Sequence, residues 1–248
     1  MADKKLAGQV ALVTGGSRGI GAGIATRLAA DGASVALTYS KSKDSADQVV
    51  KNIQAQGGRA YAIRADSSIA EDVVASVSSA VAHFGGLHIL VNNAGGGTFQ
   101  SLDELTLEQI DQVLSVNVRA TVVATKAALE HISTGGRIIN IGSINADRMP
   151  FPGGSTYALS KGAVASFTRG LARELGPRGI TVNNVQPGPV DTDGNPADGP
   201  AAGLILEALA VDRFGTVEEI GAFVSYLAGP DASYITGASH TIDGGFGA

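Results

Sequence analysis

The chain has 248 residues, 44% hydrophobic and 17% charged, with a formal net charge of -5 and no cysteine. Its length and composition suit one large globular α/β domain or two small ones, with enough residues for a substantial core. The acidic balance argues against broad electrostatic binding to nucleic acid or anionic membrane. The missing cysteine excludes disulfides, thiolate metal sites and a cysteine nucleophile.

Taken in order, Met1-Ala2-Asp3-Lys4-Lys5 leads into an apolar run that breaks at Thr14-Gly15-Gly16. That run is too short for a secretory leader, and no later one is long enough to span a bilayer, so a cytoplasmic protein without a membrane partner is expected. Val10–Val13 reads as a strand, followed by Thr14-Gly15-Gly16-Ser17-Arg18-Gly19-Ile20-Gly21 and then the periodic Ile24 and Leu28 of a helix. Gly15, Gly19 and Gly21 permit a tight turn and close approach of a ligand. The free N–H groups and positive dipole end of the helix then suit a diphosphate, Ser17 and Ile20 included in the cradle.

Ser34–Tyr39 is a second strand, at the place where a dinucleotide fold reads the adenosine ribose. It ends Tyr39-Ser40-Lys41-Ser42-Lys43, with no acid before Asp44, and Arg18 is expected nearby. Cations and hydroxyls suit a 2′-phosphate, which favours NADP(H) over NAD(H), although Lys41 and Lys43 also fit a solvated loop. A helix over residues 44–56, a strand at Arg59–Arg64 and a helix at Ala70–Phe84 continue the alternation. Asp66, followed by Ser67, suits either the adenine edge or a helix N-cap. Residues 87–91 read as a buried strand running into Asn92-Asn93-Ala94-Gly95-Gly96-Gly97.

A helix starting at Thr106 carries Asn117 between two valines, where a buried amide needs partners. Residues 136–141 form the next strand, ending at Gly142-Ser143, and a Pro- and Gly-rich stretch over 149–154 leads into the helix of Tyr157 and Lys161. Four residues apart, that pair shares one helical face, so the ammonium favours the phenolate and equips the phenol to pass a proton to or from a substrate oxygen. A strand over 181–185 precedes Pro187-Gly188-Pro189-Val190-Asp191-Thr192. Residues 189–213 are expected to form a mobile lid over the site, with a short helix over 204–210. A helix over 217–227 and a strand at Ser239–Ile242 complete the chain. Strands alternating with helices predict a single domain over residues 1–248. It is a Rossmann-type doubly wound parallel sheet of about seven strands with helices on both faces and ligands at the strand C-termini. The histidines at 83, 88, 131 and 240 lack a metal-ligand pattern, and Asp191, Asp193 and Asp198 are expected to face solvent rather than an ion.

From about Ala7 onward these motifs, in this order and spacing, resemble the short-chain dehydrogenase/reductase family. The resemblance implies reversible hydride transfer between a nicotinamide and a ketone, aldehyde or alcohol. Tyr157 would be the general acid in reduction, Lys161 would hold the nicotinamide ribose, Ser143 would bind the substrate oxygen, and Asn117 would fix a water linking Lys161 to solvent. Asn93, Ala94 and Gly95 would line the nicotinamide side, Val190 and Thr192 would meet the carboxamide, and Pro187 and Gly188 would also bind the cofactor. Ser143 lies fourteen residues before Tyr157, one more than is usual, and the 149–154 stretch is expected to absorb the extra residue. A homotetramer is implied, although Gly162, Ala163, Ala165, Ser166 and Gly170 also suit packing within one subunit. Two other readings stay open. The chain also looks like 3-oxoacyl-carrier-protein reductases, and it resembles a bacterial subgroup that includes a biofilm-dispersal protein proposed to bind cyclic di-GMP.

Overall fold

The computed structural model describes residues 4–248. Seven strands form one parallel sheet: β1 (Val10–Val13), β2 (Ser34–Tyr39), β3 (Arg59–Arg64), β4 (Ile89–Asn92), β5 (Arg137–Ile141), β6 (Thr181–Pro187) and β7 (Ser239–Ile242), in the order β3-β2-β1-β4-β5-β6-β7. The order reverses between β1 and β4, and in open α/β sheets ligands bind beyond the strand C-termini at such a switch point. β1 and β4 to β6 are buried along their whole length, which is why they read as continuous apolar runs rather than alternating ones.

Helices cover both faces. α1 (Gly19–Ala30), α2 (Lys43–Ala55) and α8 (Val217–Ala228) bury Ile24, Leu28, Ile53, Ile220 and Val224 against one. α3 (Ala70–Phe84), α5 (Ala120–Ala128) and α6 (Ser155–Leu175) bury Val73, Val77, Ala124 and Leu171 against the other. α1 and α8 approach to glycine distance: a Cβ on Gly23 would lie 2.7 Å from the Val217 carbonyl oxygen, and one on Gly221 would lie 2.8 Å from that of Gly23. This tight crossing fixes the axis of α1, and with it the direction in which its N-terminus points.

The helix expected from Thr106 is interrupted. α4 (Leu107–Leu114) is followed by a π-helical turn at Ser115–Arg119, then by α5. Thr106 caps α4 reciprocally with Gln109, so the start lies where the sequence places it. The strand expected over 87–91 is observed at Ile89–Asn92, and just before it the Val10 amide donates to a His88 ring nitrogen at 3.0 Å. The short helix expected over 204–210 is α7 (Ala202–Glu207). The segment around it is tied down by a parallel bridge between Val190 and Gly215 and a tight turn joining Thr192 to Asn195. Among the described residues no helix is long and apolar enough to cross a membrane.

Candidate active site

A cleft of about 980 Å³ opens beyond the C-terminal ends of the strands. Its floor begins at the turn after β1, where Gly15 and Gly19 have φ of +64° and +52°, a conformation that side chains disfavour. At Gly21 a Cβ would fall 2.3 Å from the Gly15 carbonyl oxygen, so the turn closes only with glycine there. No side chain caps α1 and no acid lies in its first turn, which leaves the helix start open to an anion. The loop is held from behind: the Asn93 carboxamide donates to the carbonyls of Thr14 (2.8 Å) and Gly15 (3.0 Å), while the Thr14 hydroxyl accepts from the amides of Asn93 and Ala94. Asn93 therefore shapes the cradle as well as lining the cleft.

At the β2 end of the cleft, Arg18, Tyr39, Ser40 and Lys41 are all lining residues. Lys43 is drawn away, onto α2, where it pairs with Asp47. Asp66 and Ser67 line the same end. The Asp66 carboxylate accepts from the Ser68 amide (2.9 Å) and hydroxyl (2.7 Å) and from the Ser40 hydroxyl (3.2 Å). The Ser68 amide, then its hydroxyl, holds the Asp66 carboxyl below the usual carboxylate range. Of the two sequence readings of Asp66, the N-cap is not realised, because Ile69 occupies that position.

Tyr157 and Lys161 both face the cleft from the first turns of α6. The Lys161 ammonium lies 5.6 Å from the centre of the Tyr157 ring and donates to the Ile141 carbonyl at 2.9 Å. Lys161 is 5% exposed, and among the described residues no carboxylate pairs with it. Its charge is thus directed at the phenol and at whatever occupies the cleft. Ser143 follows β5 and faces the same cleft, its hydroxyl oxygen accepting from the Asn145 amide at 3.1 Å. Between Ser143 and Tyr157 the chain runs through a 3₁₀ turn at Ile144–Ala146 and a bend where the carbonyl of Gly153, at φ +86°, accepts the Gln100 amide.

Asn117 sits at the centre of the π turn, 2% exposed. Its carboxamide accepts from the Gly96 amide (3.0 Å) and donates to the Gly96 carbonyl (2.8 Å) and the Ser160 hydroxyl (2.8 Å). It thereby ties the loop after β4 to the helix residue preceding Lys161. On the fourth wall Gly188, Val190 and Thr192 line the cleft, with the Thr192 methyl 3.4 Å from the place of a Gly19 Cβ. Pro187, the last residue of β6, is buried in the sheet and is not among the residues that line the cleft.

Several cleft residues escape sequence reasoning. Gln112 and Val116 arrive from α4 and the π turn; their spacing of four was a usable signal for one shared face. Gly97 lies flat against the Tyr157 ring, with a Cβ position 2.7 Å from Cδ2, and the triple glycine marked the need for close approach. Phe246 also lines the cleft, although it is far along the chain and nothing in the spacing of the tail around it points there.

The fold and this wall-by-wall arrangement define a dinucleotide-binding oxidoreductase scaffold. A family model described as Enoyl-(Acyl carrier protein) reductase matches residues 15–247. The chain is 47% identical over 241 residues to the cyclic-di-GMP-binding biofilm dispersal mediator protein of Escherichia coli, covering 97% of this chain and 98% of that protein. It is 44% identical to the hydroxynaphthalene reductase of Aspergillus fumigatus, with 94% and 90% covered. A short-chain dehydrogenase from Burkholderia cenocepacia, solved in complex with NADP, superposes with a TM-score of 0.97 at 53% identity, with 98% of this chain and 100% of that one covered. This chain belongs to the short-chain dehydrogenase/reductase family.

Proposed function

We propose that the protein is an NADP(H)-dependent reductase of ketones or aldehydes, reversible in direction, with Tyr157 as the proton donor. The observation that carries this reading is the meeting, in one cleft, of the uncapped start of α1 with the phenol of Tyr157 and the buried ammonium of Lys161. The residues fit the cofactor: glycines clear the diphosphate cradle, and Arg18 with Lys41 offers two cations where a 2′-phosphate would lie. The Burkholderia cenocepacia relative, solved with NADP, supports that assignment. When bound, the reduced nicotinamide supplies the hydride. Ser143 donates a hydrogen bond to the carbonyl oxygen and orients it. Tyr157 delivers its proton to that oxygen as negative charge develops, and Lys161 stabilises the phenolate left behind. Asn117 holds the Gly95–Gly97 loop against α6, so that these groups keep their spacing.

Phe99, Met149, Phe151 and Ile205 give the substrate end an apolar lining, which favours apolar carbonyl compounds of small to medium size. The test is NADPH and NADH oxidation over a panel of such ketones and aldehydes. Turnover with NADPH clearly faster than with NADH supports the reading; no turnover on any carbonyl, or equal use of NADH, contradicts it. The family-model description and the look of an acyl-carrier-protein reductase make a carrier-bound acyl substrate the rival within the class, to be run in the same panel. A regulator that binds cyclic di-GMP is a second reading, favoured by the E. coli relative's name. Calorimetric titration with cyclic di-GMP, in the presence and absence of NADPH, separates it from the first.

The assembly we propose is a homotetramer in which the outer face of α6 and the helix from Thr106 pack against their mates in one interface and the glycine-rich C-terminus joins a second. Cβ positions at Gly162 and Gly170 meet nothing within 4 Å, and Leu159 is 61% exposed, so this face has no partner inside the subunit. Light scattering should give four subunits for the wild type and fewer for Leu159→Arg; a wild-type monomer contradicts the proposal.

A further inference from the structure

Three segments meet at the turn formed by residues 243–248. The Asp243 carboxylate accepts the amides of Gly245 (3.0 Å) and Gly247 (2.7 Å), which closes the turn on itself. The Gly244 carbonyl accepts the amides of Ala210 and Val211, both at 2.9 Å, from the segment that follows α7. From the opposite side comes Arg148, on the loop that carries Ser143. Its guanidinium donates to the carbonyl oxygens of Phe246 and Ala248 and stands 5.7 Å over the Phe246 ring. Among the described residues no Asp or Glu side chain pairs with Arg148. Its ordered position therefore comes from gripping this turn, by two charge-assisted hydrogen bonds to main-chain oxygens and a cation–π contact.

What Arg148 grips is part of the cleft. Phe246 is 3% exposed, lines the substrate end, and lies 6.4 Å ring to ring from Phe151 on the Arg148 loop. A Cβ at Gly247 would meet Ile144 Cδ1 at 2.6 Å, so the turn and the Ser143 loop are in contact along their length. The turn is thus a strap joining the Ser143 loop to the segment after α7, with an aromatic wall of the pocket in the middle.

We propose that Arg148 is a positioning residue that sets the size limit of the substrate pocket: by holding the 243–248 turn, it keeps Phe246 and Phe151 together as a wall that excludes a bulky group on the carbonyl carbon. This rests on the carbonyl-reductase reading above. Loss of the grip lets the wall retreat, and larger ketones gain relative to small ones. Pocket discrimination between groups of different size commonly amounts to tenfold or more.

The test compares kcat/KM for benzophenone and butanone, with NADPH, in wild type, Arg148→Gln, Arg148→Lys, Phe246→Ala and the Arg148→Gln/Phe246→Ala double variant. The expected result is a rise of roughly tenfold in the benzophenone-to-butanone ratio for Arg148→Gln and for Phe246→Ala, carried mainly by KM. The lysine variant should stay near wild type, and the double variant should show no further gain, since both changes undo one strap. An unchanged ratio in Arg148→Gln, or gains that multiply in the double variant, overturns the proposal. Inactivity of the wild type on both ketones would instead count against the reductase reading, and the strap is then read by hydrogen exchange. Arg148→Gln should speed exchange of the Ala210 and Val211 amides, which bond to Gly244, by roughly tenfold. Unchanged protection there overturns the strap whatever the activity.

Discussion

Gly97 shows how closely single residues determine this site. The space a Cβ would occupy is already filled by the Tyr157 ring, 2.7 Å away, whereas the neighbouring Gly96 faces nothing within 4 Å. Neither has the positive φ that would demand glycine for backbone reasons. Gly97→Ala must therefore push the phenol aside, and if Tyr157 is the proton donor we propose, a displacement near 1 Å costs up to about a hundredfold in rate. We expect kcat to fall by at least roughly tenfold in Gly97→Ala with NADPH affinity unchanged, and Gly96→Ala to behave like wild type; steady-state kinetics and a binding titration check both. Cofactor choice is argued from two side chains. Each charge-assisted hydrogen bond to a phosphate contributes about 1.5–3 kcal/mol, so removing Arg18 or Lys41 should raise the KM for NADPH roughly tenfold and leave that for NADH nearly unchanged. An equal effect on both cofactors would place these cations elsewhere than on the 2′-phosphate.

Among the elements, the sequence was most informative where one residue type answers one local demand. The glycines after β1 and the valine-flanked asparagine could be read directly, because turn geometry and burial of an amide each have a narrow chemical solution. It was least informative where the decisive contact is between distant segments. The π turn at Ser115–Arg119 has no composition of its own; it arises because Asn117 must aim inward at Gly96 and Ser160 while α4 and α5 keep their apolar faces on the core. Likewise Phe246 joins the cleft through Arg148, about a hundred residues earlier, which no periodicity reports. α8 supports the site indirectly, by fixing α1, and its own start is secured by a capping box between Thr216 and Glu219. The Arg213 guanidinium, then the Thr216 amide, holds the Glu219 carboxyl down at about 2. A carboxyl lowered on folding stabilises fully above its usual value of 4.5 and loses that contribution as pH falls towards 2. Thermal unfolding between pH 4.5 and 2 should thus be less steeply acid-sensitive in Glu219→Gln than in wild type. The effect is modest, because the pair is largely solvated. Thr216→Ala should cost about 1 kcal/mol at neutral pH, a melting shift of roughly 2–4 °C for a domain this size.

For the molecule as a whole, two supports converge on one point. On one face α1 and α8 lock together through glycines, and Asp31 at the end of α1 gathers Arg27 (2.8 Å), Ser225 of α8 (2.5 Å) and Lys5 of the leading segment (3.2 Å). Burial pushes the Asp31 carboxyl up, but the Ser225 hydroxyl, Arg27 and Lys5 together outweigh it and hold it below the usual range, so this junction also weakens as pH falls through that lowered value. On the other face α6 carries Tyr157 and Lys161 against the loop that Asn117 fixes. The sheet holds these two assemblies at the C-terminal ends of its strands, so that in the proposed reading a cofactor seated on α1 would end beside the phenol on α6. The measurement that tests this most directly is single-turnover NADPH oxidation by Tyr157→Phe, with NADPH affinity determined in parallel. The account predicts unchanged NADPH affinity and a rate lower by at least about a hundredfold, the scale of general acid catalysis. A phenylalanine variant that binds NADPH and reduces the ketone at the wild-type rate would contradict it.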